Sequence, residues 1–344
     1  IGPRINAAGR MEVDSDDENA APSGGHSAVY LMVARDEEVA SEYGAFIDTC
    51  NQDRKNIDRS ITQQAHELIE RSIIKKFRKT IWNPFTLAVR QYQLIQPGDK
   101  IAVCISGGKD SMLMAKLMQL LQRYSEVPFE VVFLVMDPGY NEIHRNKIES
   151  NAALLHIPIT VFETDVFAVA NNSEKNPCYL CARMRRGYLY SKAQELGCNK
   201  IALGHHFDDV IETTLMGMLY SGKVETMMPK LHSKNFEGME LIRPMYMVRE
   251  ADIKAWRDYN HLHFIQCACR FTERCATCGG EKGSKRDEMK ELIAELRKRC
   301  DTIDMNIFNS VHNINLKTVI GYHKGDWSYN FLDDYDEETK KIHN

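Results

Sequence analysis

Between residues 101 and 242 the chain alternates short apolar runs with longer amphipathic ones. Ile101–Ile105, Val131–Met136, Ile159–Phe162 and Lys200–Leu203 are short and bounded by turn residues, so each reads as a strand, with Leu241–Ile242 a shorter fifth. The gaps between them carry helical spacing. Ser111–Tyr124 sets Leu113, Leu117, Leu120 and Tyr124 on one face, and Asp208–Tyr220 does the same with Ile211, Leu215, Met218 and Leu219. A helix over Arg145–Leu155 precedes the third strand, and another runs from Asn176-Pro177 to Leu196. Strands alternating with helices predict an α/β fold with a doubly wound parallel sheet. Upstream, helical spacing extends from about Asp36 to Ile81, with Ile57, Ile61, Ala65 and Leu68 on one face. Asn83-Pro84 breaks it, and a helix over Phe85–Leu94 ends before the turn Pro97-Gly98-Asp99. No internal repeat is visible.

A chain of 344 residues, 43% apolar, has ample core for two domains or one large domain with extensions. It has no run of eighteen apolar residues and no visible signal peptide, so a cytoplasmic protein without a membrane span is expected. It begins with Ile1, which suggests a start that is missing or removed. Ten cysteines, among them two CxxC pairs, then point to metal or redox chemistry before disulfides. The net charge of −4 is unevenly spread. Residues 1–71 carry 7 basic and 14 acidic side chains, the tail 326–344 carries 2 and 6, and the middle 72–325 holds 35 and 28. A basic middle between acidic ends is compatible with an RNA partner. Lys75, Lys76, Arg78 and Lys79 are candidate RNA contacts, although a solvated helix face explains them equally well.

Candidate chemistry starts at Ser106-Gly107-Gly108-Lys109-Asp110-Ser111, directly after the first strand and directly before a helix. Two glycines allow a tight turn that brings backbone N–H groups against an anion, and the helix N-terminus favours the same charge. Lys109 adds a point charge, and the Ser106 and Ser111 hydroxyls add donors. This is not a Walker A sequence. It resembles the PP-loop of ATP pyrophosphatases, which grip the β and γ phosphates and leave the α-phosphate open to attack. Asp137, closing the second strand, joins the candidate ATP residues, as do Gly204, His205 and Asp208 after the fourth.

Asn176-Pro177-Cys178-Tyr179-Leu180-Cys181 reads as a helix start, with Asn176 the cap and Gly197 the stop. Residues three apart share a helix face, and the helix N-terminus favours the Cys178 thiolate that metal ligation or sulfur transfer needs. Two buried structural cysteines are the bland alternative. Cys267, Cys269, Cys275 and Cys278 follow about ninety residues later, farther than a zinc ribbon usually spans. Three thiolates would leave one iron of a cluster open to an exogenous sulfur species. Cys275 and Cys278 remain a local zinc or disulfide staple, or spare. In Gly204-His205-His206-Phe207-Asp208-Asp209, carboxylates fall at the C-terminal end of a parallel strand, where ligands bind in open sheets. They could hold Mg²⁺ or orient a nucleophile. Asp208 reads as the cap of the following helix, and Asp209 carries the sharper functional expectation.

Together, the loop at 106–111, the Pro-Cys-x-x-Cys helix with Arg183, Arg185 and Arg186, and Leu203-Gly-His-His-x-Asp-Asp209 resemble the TtcA-type tRNA 2-thiocytidine synthetases, a branch of the adenine nucleotide α-hydrolase superfamily. Pro229-Lys-Leu231 and Ile242-Arg-Pro244 fit as well, and the resemblance covers about 72–325. It implies a Rossmann-like fold of that type and ATP-dependent adenylation of the C2 carbonyl oxygen of an anticodon-loop cytidine, with AMP then replaced by sulfur. Its implied cofactors are ATP, Mg²⁺ and a [4Fe-4S] cluster on Cys178, Cys181 and a third cysteine, Cys267 or alternatively Cys269. The implied partners are tRNA and a sulfur donor such as a cysteine desulfurase, with a homodimer possible. Lys109 becomes a phosphate clamp, Asp110 a metal or loop-orienting ligand, Arg185 a partner for the phosphate of the activated intermediate, and Arg183 and Arg186 RNA contacts. The extra cysteines depart from the family's single Pro-Cys-x-x-Cys, so the substrate could differ from the usual cytidine.

Residues 1–71 look like a separate piece. Ile1–Arg10 and Asn51-Gln-Asp-Arg-Lys55 resemble a segment of RecJ-type DHH exonucleases, without the Asp-His-His part, because His205-His206 follows Gly204. A non-catalytic, acidic and helical extension is expected there. Two other functions compete with tRNA thiolation: a PP-loop ligase with zinc-bound structural cysteines, and a nucleic-acid-binding module with an inactive nucleotide site.

Overall fold

The computed structural model describes residues 52, 63–171, 177–265, 285–333 and 335. The chain divides into two units, 1–75 with 153–156, and 76–152 with 157–344. Most of the expected Asp36–Ile81 helix, and the RecJ-like decapeptide, lie outside the described residues. In the first unit residues 63–71 are helical, and His66 stacks on His156 at 4.0 Å while pairing with Glu70 at 2.8 Å. Two π-helical turns, Ser72–Lys76 and Arg78–Trp82, then stand where one regular helix was expected.

In the second unit, helix α1 (Asn83–Gln91) starts at the Asn-Pro pair. Strand β1 (Lys100–Ile105), helix α2 (Lys109–Tyr124), β2 (Glu130–Asp137), α3 (Glu142–Leu154), β3 (Ile159–Glu163), α4 (Val166–Asn171), α5 (Pro177–Glu195), β4 (Lys200–Ala202) and α6 (Phe207–Ser221) follow in order. Next come β5 (Lys230–His232), β6 (Glu240–Ile242), α7 (Glu250–Tyr259), α8 (Lys285–Arg297) and α9 (Ile303–Ser310), then the hairpin β7 (Gly321–Lys324) and β8 (Trp327–Asn330). No helix among the described residues is long and apolar enough to cross a membrane.

The main sheet has the order β3-β2-β1-β4-β6-β5. The first five strands of that order are parallel, and β5 pairs antiparallel with β6 at the edge. The alternating pattern thus forms the doubly wound sheet that it predicts. β1 is an unbroken apolar run because helices cover both faces of a parallel sheet, and Ile101 to Ile105 are all buried. The order of strand addition reverses between the parallel neighbours β1 and β4, so the loops leaving their C-terminal ends share one crevice. The opposite end of the sheet is closed by a buried ion cluster: Lys200 Nζ lies 2.8 Å from Asp99 and 3.0 Å from Glu240, and donates to Leu94 O. The fifth expected strand is β6. The edge strand β5 was not foreseen, since three residues of Lys-Leu-His carry no period to read.

Candidate functional site

The loop after β1 makes its turn through Gly107, whose φ of +87° strains any residue with a side chain. A Cβ there would also lie 2.7 Å from Ile148 Cγ1. The serines knit the turn together. The Ser106 N–H and hydroxyl both donate to Ser111 Oγ at 3.1 Å, and the Ser111 hydroxyl donates to Gly108 O at 3.0 Å. Both hydroxyl protons are therefore used inside the loop, which fixes its shape and leaves anion contacts to the backbone. Ile265 N–H reaches Gly107 O at 3.2 Å, so the segment that leads toward Cys267 starts against this loop. Cys267, Cys269, Cys275 and Cys278 themselves lie outside the described residues.

Gly204, at the end of β4, packs straight onto the first turn of α2. A Cβ there would stand 3.1 Å from the Ser111 backbone nitrogen and 3.3 Å from the Asp110 carbonyl carbon. That contact brings the two motifs into one site. His206, not Asp208, is the N-cap of α6, and its N–H donates to Asp209 Oδ2 at 3.0 Å in a capping-box arrangement. Asp208 turns away to other helices. One oxygen accepts from the Glu250 N–H at the start of α7 (2.7 Å), the other from Arg297 of α8 (2.7 Å), which also holds Asp304. The expectation that Asp208 caps its own helix is thus corrected, and its carboxylate is committed to joining α6, α7 and α8. Asp209 stays at the site, where its second oxygen is bound by Arg286 at 2.8 Å.

A cavity of about 450 Å³ lies between these elements, lined by Ser106, Asp110, Ser111, Gly204, His205 and Asp209, with Arg185 and Arg186 of α5 on the facing wall. Asp110 Oδ1 is buried and has no hydrogen-bond partner among the described residues, with His206 Nε2 at 3.9 Å. A buried carboxylate oxygen left open in this way suits a hard cation such as Mg²⁺. His205 Nδ1 is likewise buried without a partner, and burial above all pulls the imidazole down to about 4, so it is neutral at pH 7. It offers a hydrogen bond to a ligand, not a charge. Cys104 also lines the cavity, but burial pushes its thiol up to about 12, which removes it as a thiolate. Cys181 is half-buried and directly precedes Ala182, which lines the cavity. Cys178 occupies the first turn of α5, its side chain outside the described residues. No group of three metal-ligating side chains occurs among the described residues.

Asp137 sits at the end of β2, where one oxygen accepts from the Gly139 and Tyr140 N–H groups (2.9 and 2.7 Å) and the other from Arg145 (2.7 Å). Burial works against the charged form, yet these donors together hold its carboxyl below the usual range. It shapes the turn beside the nucleotide loop and has little left for a ligand. Of the arginines, Arg183 is exposed and does not line the cavity, whereas Arg185 and Arg186 do. Lys75, Lys76, Arg78 and Lys79 are all exposed, with Lys76 4.2 Å above the Tyr259 ring.

On the other side of the loop Lys109 lines a second cavity of about 610 Å³ with Lys254, Arg257, His261 and His263. Its Nζ lies 3.1 Å from Asp110 and 3.0 Å from Glu250. Burial pulls the ammonium down, but these carboxylates outweigh it and hold Lys109 above its ordinary value. Glu250 is lowered to about 2: burial opposes this, and Lys254 and Lys109 overcome it. Glu250, Arg286 and Glu212 are the site residues that sequence reasoning missed. Glu212 is 2% exposed, 3.0 Å from Arg286, and burial raises its carboxyl to about 7. A glutamate one turn after Asp209, inside an otherwise apolar helix face, was the available signal for Glu212. Glu250 and Arg286 gave none, since each comes from a distant element.

A glycine-turned loop between β1 and α2, facing carboxylates from the neighbouring strand end, defines an ATP-pyrophosphatase type of nucleotide site, and a family model described as PP-loop domain matches residues 72–269. The tRNA-cytidine(32) 2-sulfurtransferase of Alcanivorax borkumensis is 36% identical over 71% of this chain and 84% of its own length. The protein of the same name from Burkholderia multivorans is 33% identical over 76% of this chain and 75% of its own. The chain belongs to the tRNA-cytidine(32) 2-sulfurtransferase family of PP-loop proteins. Among solved structures, the U34-tRNA thiolase NcsA from Methanococcus maripaludis with its [4Fe-4S] cluster shares the fold. It has a TM-score of 0.51 at 20% identity, over 69% of this chain and 80% of that one.

Proposed function

We infer that this protein is an ATP-dependent tRNA sulfurtransferase that converts cytidine to 2-thiocytidine in the anticodon loop. The observation that carries the inference is the packing of Gly204 on Ser111, which sets the phosphate loop, the Asp209 carboxylate and the α5 arginines around one cavity. ATP lies with its β and γ phosphates on the loop backbone N–H groups and Lys109. The cytidine C2 oxygen attacks the α-phosphorus and pyrophosphate leaves. Sulfide-level sulfur, released from a donor persulfide by a thiol reductant that becomes a disulfide, then adds at C2, and the C2–O bond breaks so that AMP leaves with the oxygen. Asp110, with its open oxygen, would hold Mg²⁺, which when bound would supply charge stabilisation for the phosphates. Arg185 faces the adenylated base and Asp209 orients the reacting groups through His206. When bound by Cys178, Cys181 and either Cys267 or Cys269, a [4Fe-4S] cluster supplies an iron free to carry exogenous sulfur. Arg186, Arg183 and the exposed lysines at 75, 76 and 79, with Arg78, contact the tRNA backbone. The catalytic domain is read as 72–325, with 1–71 and the tail 326–344 outside it. A cysteine desulfurase is the expected sulfur donor, and the reading is compatible with a homodimer.

The deciding experiment is mass spectrometry of tRNA nucleosides from a deletion strain complemented with the intact gene or with Cys178 and Cys181 both changed to Ser. The intact gene is expected to restore 2-thiocytidine and the double variant to leave none, although the purified variant still binds ATP. Stoichiometric zinc without iron after anaerobic purification of the wild type would replace this reading by that of a PP-loop ligase with structural cysteines.

A further inference from the structure

Glu250 lies at the start of α7, about 140 residues from the phosphate loop in sequence, yet its carboxylate is 3.0 Å from the Lys109 ammonium. Its position is fixed from two sides. Its backbone N–H is held by Asp208, which Arg297 anchors in turn. Its second oxygen is 3.0 Å from Lys254, one helical turn on. One buried-side carboxylate therefore sits between two ammonium groups, both of which line the 610 Å³ cavity beside the loop. A lysine on a four-carbon stem is a mobile point charge, and Glu250 holds it from the α7 side while Asp110, 3.1 Å away, holds it from the loop. A phosphate reaching the loop competes with Glu250 for the same ammonium. Lys254 then remains on Glu250, so the carboxylate is never left unpaired when Lys109 leaves it.

We propose that Glu250 is a positioning residue for the phosphate clamp: it parks Lys109 beside the loop while the site is empty and hands it to the nucleotide phosphate, with Lys254 as the counter-charge that makes the exchange possible. This rests on the reading of the 106–111 loop as the ATP site. Asp208 acquires its role from the same arrangement, because the hydrogen bond to the Glu250 N–H sets where α7 begins. The parking contact has a cost in affinity, since ATP must displace a carboxylate, and a benefit in turnover, since the ammonium arrives in one orientation.

The two consequences have opposite signs, which a merely structural carboxylate would not produce. In the full-length protein, Glu250→Gln is expected to tighten Mg·ATP binding, measured by calorimetry, by about three- to tenfold, and to lower the turnover of tRNA thiolation by about tenfold or more. Lys254→Met strengthens the hold of Glu250 on Lys109 and is expected to weaken ATP binding by about threefold. This second variant keeps the test open if Glu250→Gln folds poorly in a thermal unfolding control. In a Lys109→Ala background the gain from Glu250→Gln is expected to shrink to within about twofold, because the two residues act as a unit. Weaker ATP binding by a folded Glu250→Gln protein, or an undiminished effect in the Lys109→Ala background, overturns the proposal. A wild-type protein that binds no Mg·ATP overturns the reading of the loop instead.

Discussion

The loops that leave β1 and β4 lie side by side at the same end of the sheet, yet they are built on different principles. The β1 loop is made of small residues and satisfies itself: Ser106, Gly108 and Ser111 close their hydrogen bonds within six positions of chain. The β4 loop carries two aspartates and two histidines and, beyond the His206–Asp209 capping bond, draws its partners from distant elements. Asp208 depends on Glu250 and Arg297, and Asp209 on Arg286. Two adjacent carboxylates of one motif therefore do different work, one joining helices and one facing the cavity. Backbone geometry for a phosphate is a local property, whereas placing charged groups in a half-buried site requires counter-charges delivered from far along the chain.

Replacing Lys109 by Ala removes the charge that the β1 loop contributes and should lower thiolation by about a hundredfold or more, with unfolding shifted by less than about 1 kcal/mol. Steady-state thionucleoside formation alongside thermal melts checks the contrast, and an active Lys109→Ala protein would show that the backbone alone suffices. Gly107→Ala tests the same loop as shape. Left-handed strain plus the overlap with Ile148 should cost about 2–3 kcal/mol, read by denaturant unfolding.

At the β4 loop, Arg286→Gln strips the counter-charge from Asp209 and Glu212. Because Arg286 is about one-third exposed, the loss should be nearer 1–3 kcal/mol than the larger cost of breaking a fully buried pair. An unchanged stability would mean that water serves these carboxylates as well as the arginine does. Gly204→Ala should destabilise less, by about 1 kcal/mol, while lowering activity about tenfold through separation of the two loops.

A further effect of the same helix concerns pH. Burial raises Glu212 to about 7 from an unfolded value near 4.5, so the folded protein holds a proton there that the unfolded chain has released. Its contribution to stability is complete below about 4.5 and is lost as pH rises through about 7. Glu212→Gln should flatten that part of the stability profile, and an unaltered slope would assign it to other groups.

Much of the fold was legible in advance because the parallel sheet writes itself as apolar runs of fixed length separated by helical spacing. The strands at 101–105, 131–136, 159–162 and 200–203 appear within a residue or two of those bounds. The edge strand β5 and the two π-helical turns were not legible: the first is too short for a period, and the second replaces one hydrogen-bond spacing by another over the same residues. In the site, the phosphate loop could be read as a unit, and so could the carboxylates at the end of β4. Asp209 carried the sharper expectation and lines the cavity, but the partners of Asp208 were not legible, because they come from α7 and α8. That the serine hydroxyls bond to one another across the loop was not legible, since a sequence does not say whether a donor finds its partner at home.

By itself, then, the sequence determined the order of strands and helices, the glycine turn that shapes the phosphate loop, and the chemical types gathered at the strand ends. These follow from local sterics and from periodicity, which a linear chain carries directly. Only the tertiary structure decided that Glu250 holds Lys109, that Arg286 neutralises Asp209 and Glu212, and that Asp208 serves α7 rather than its own helix. Each of those pairings joins residues tens to more than a hundred positions apart, and electrostatic contacts act over a few ångströms of space regardless of how much chain lies between.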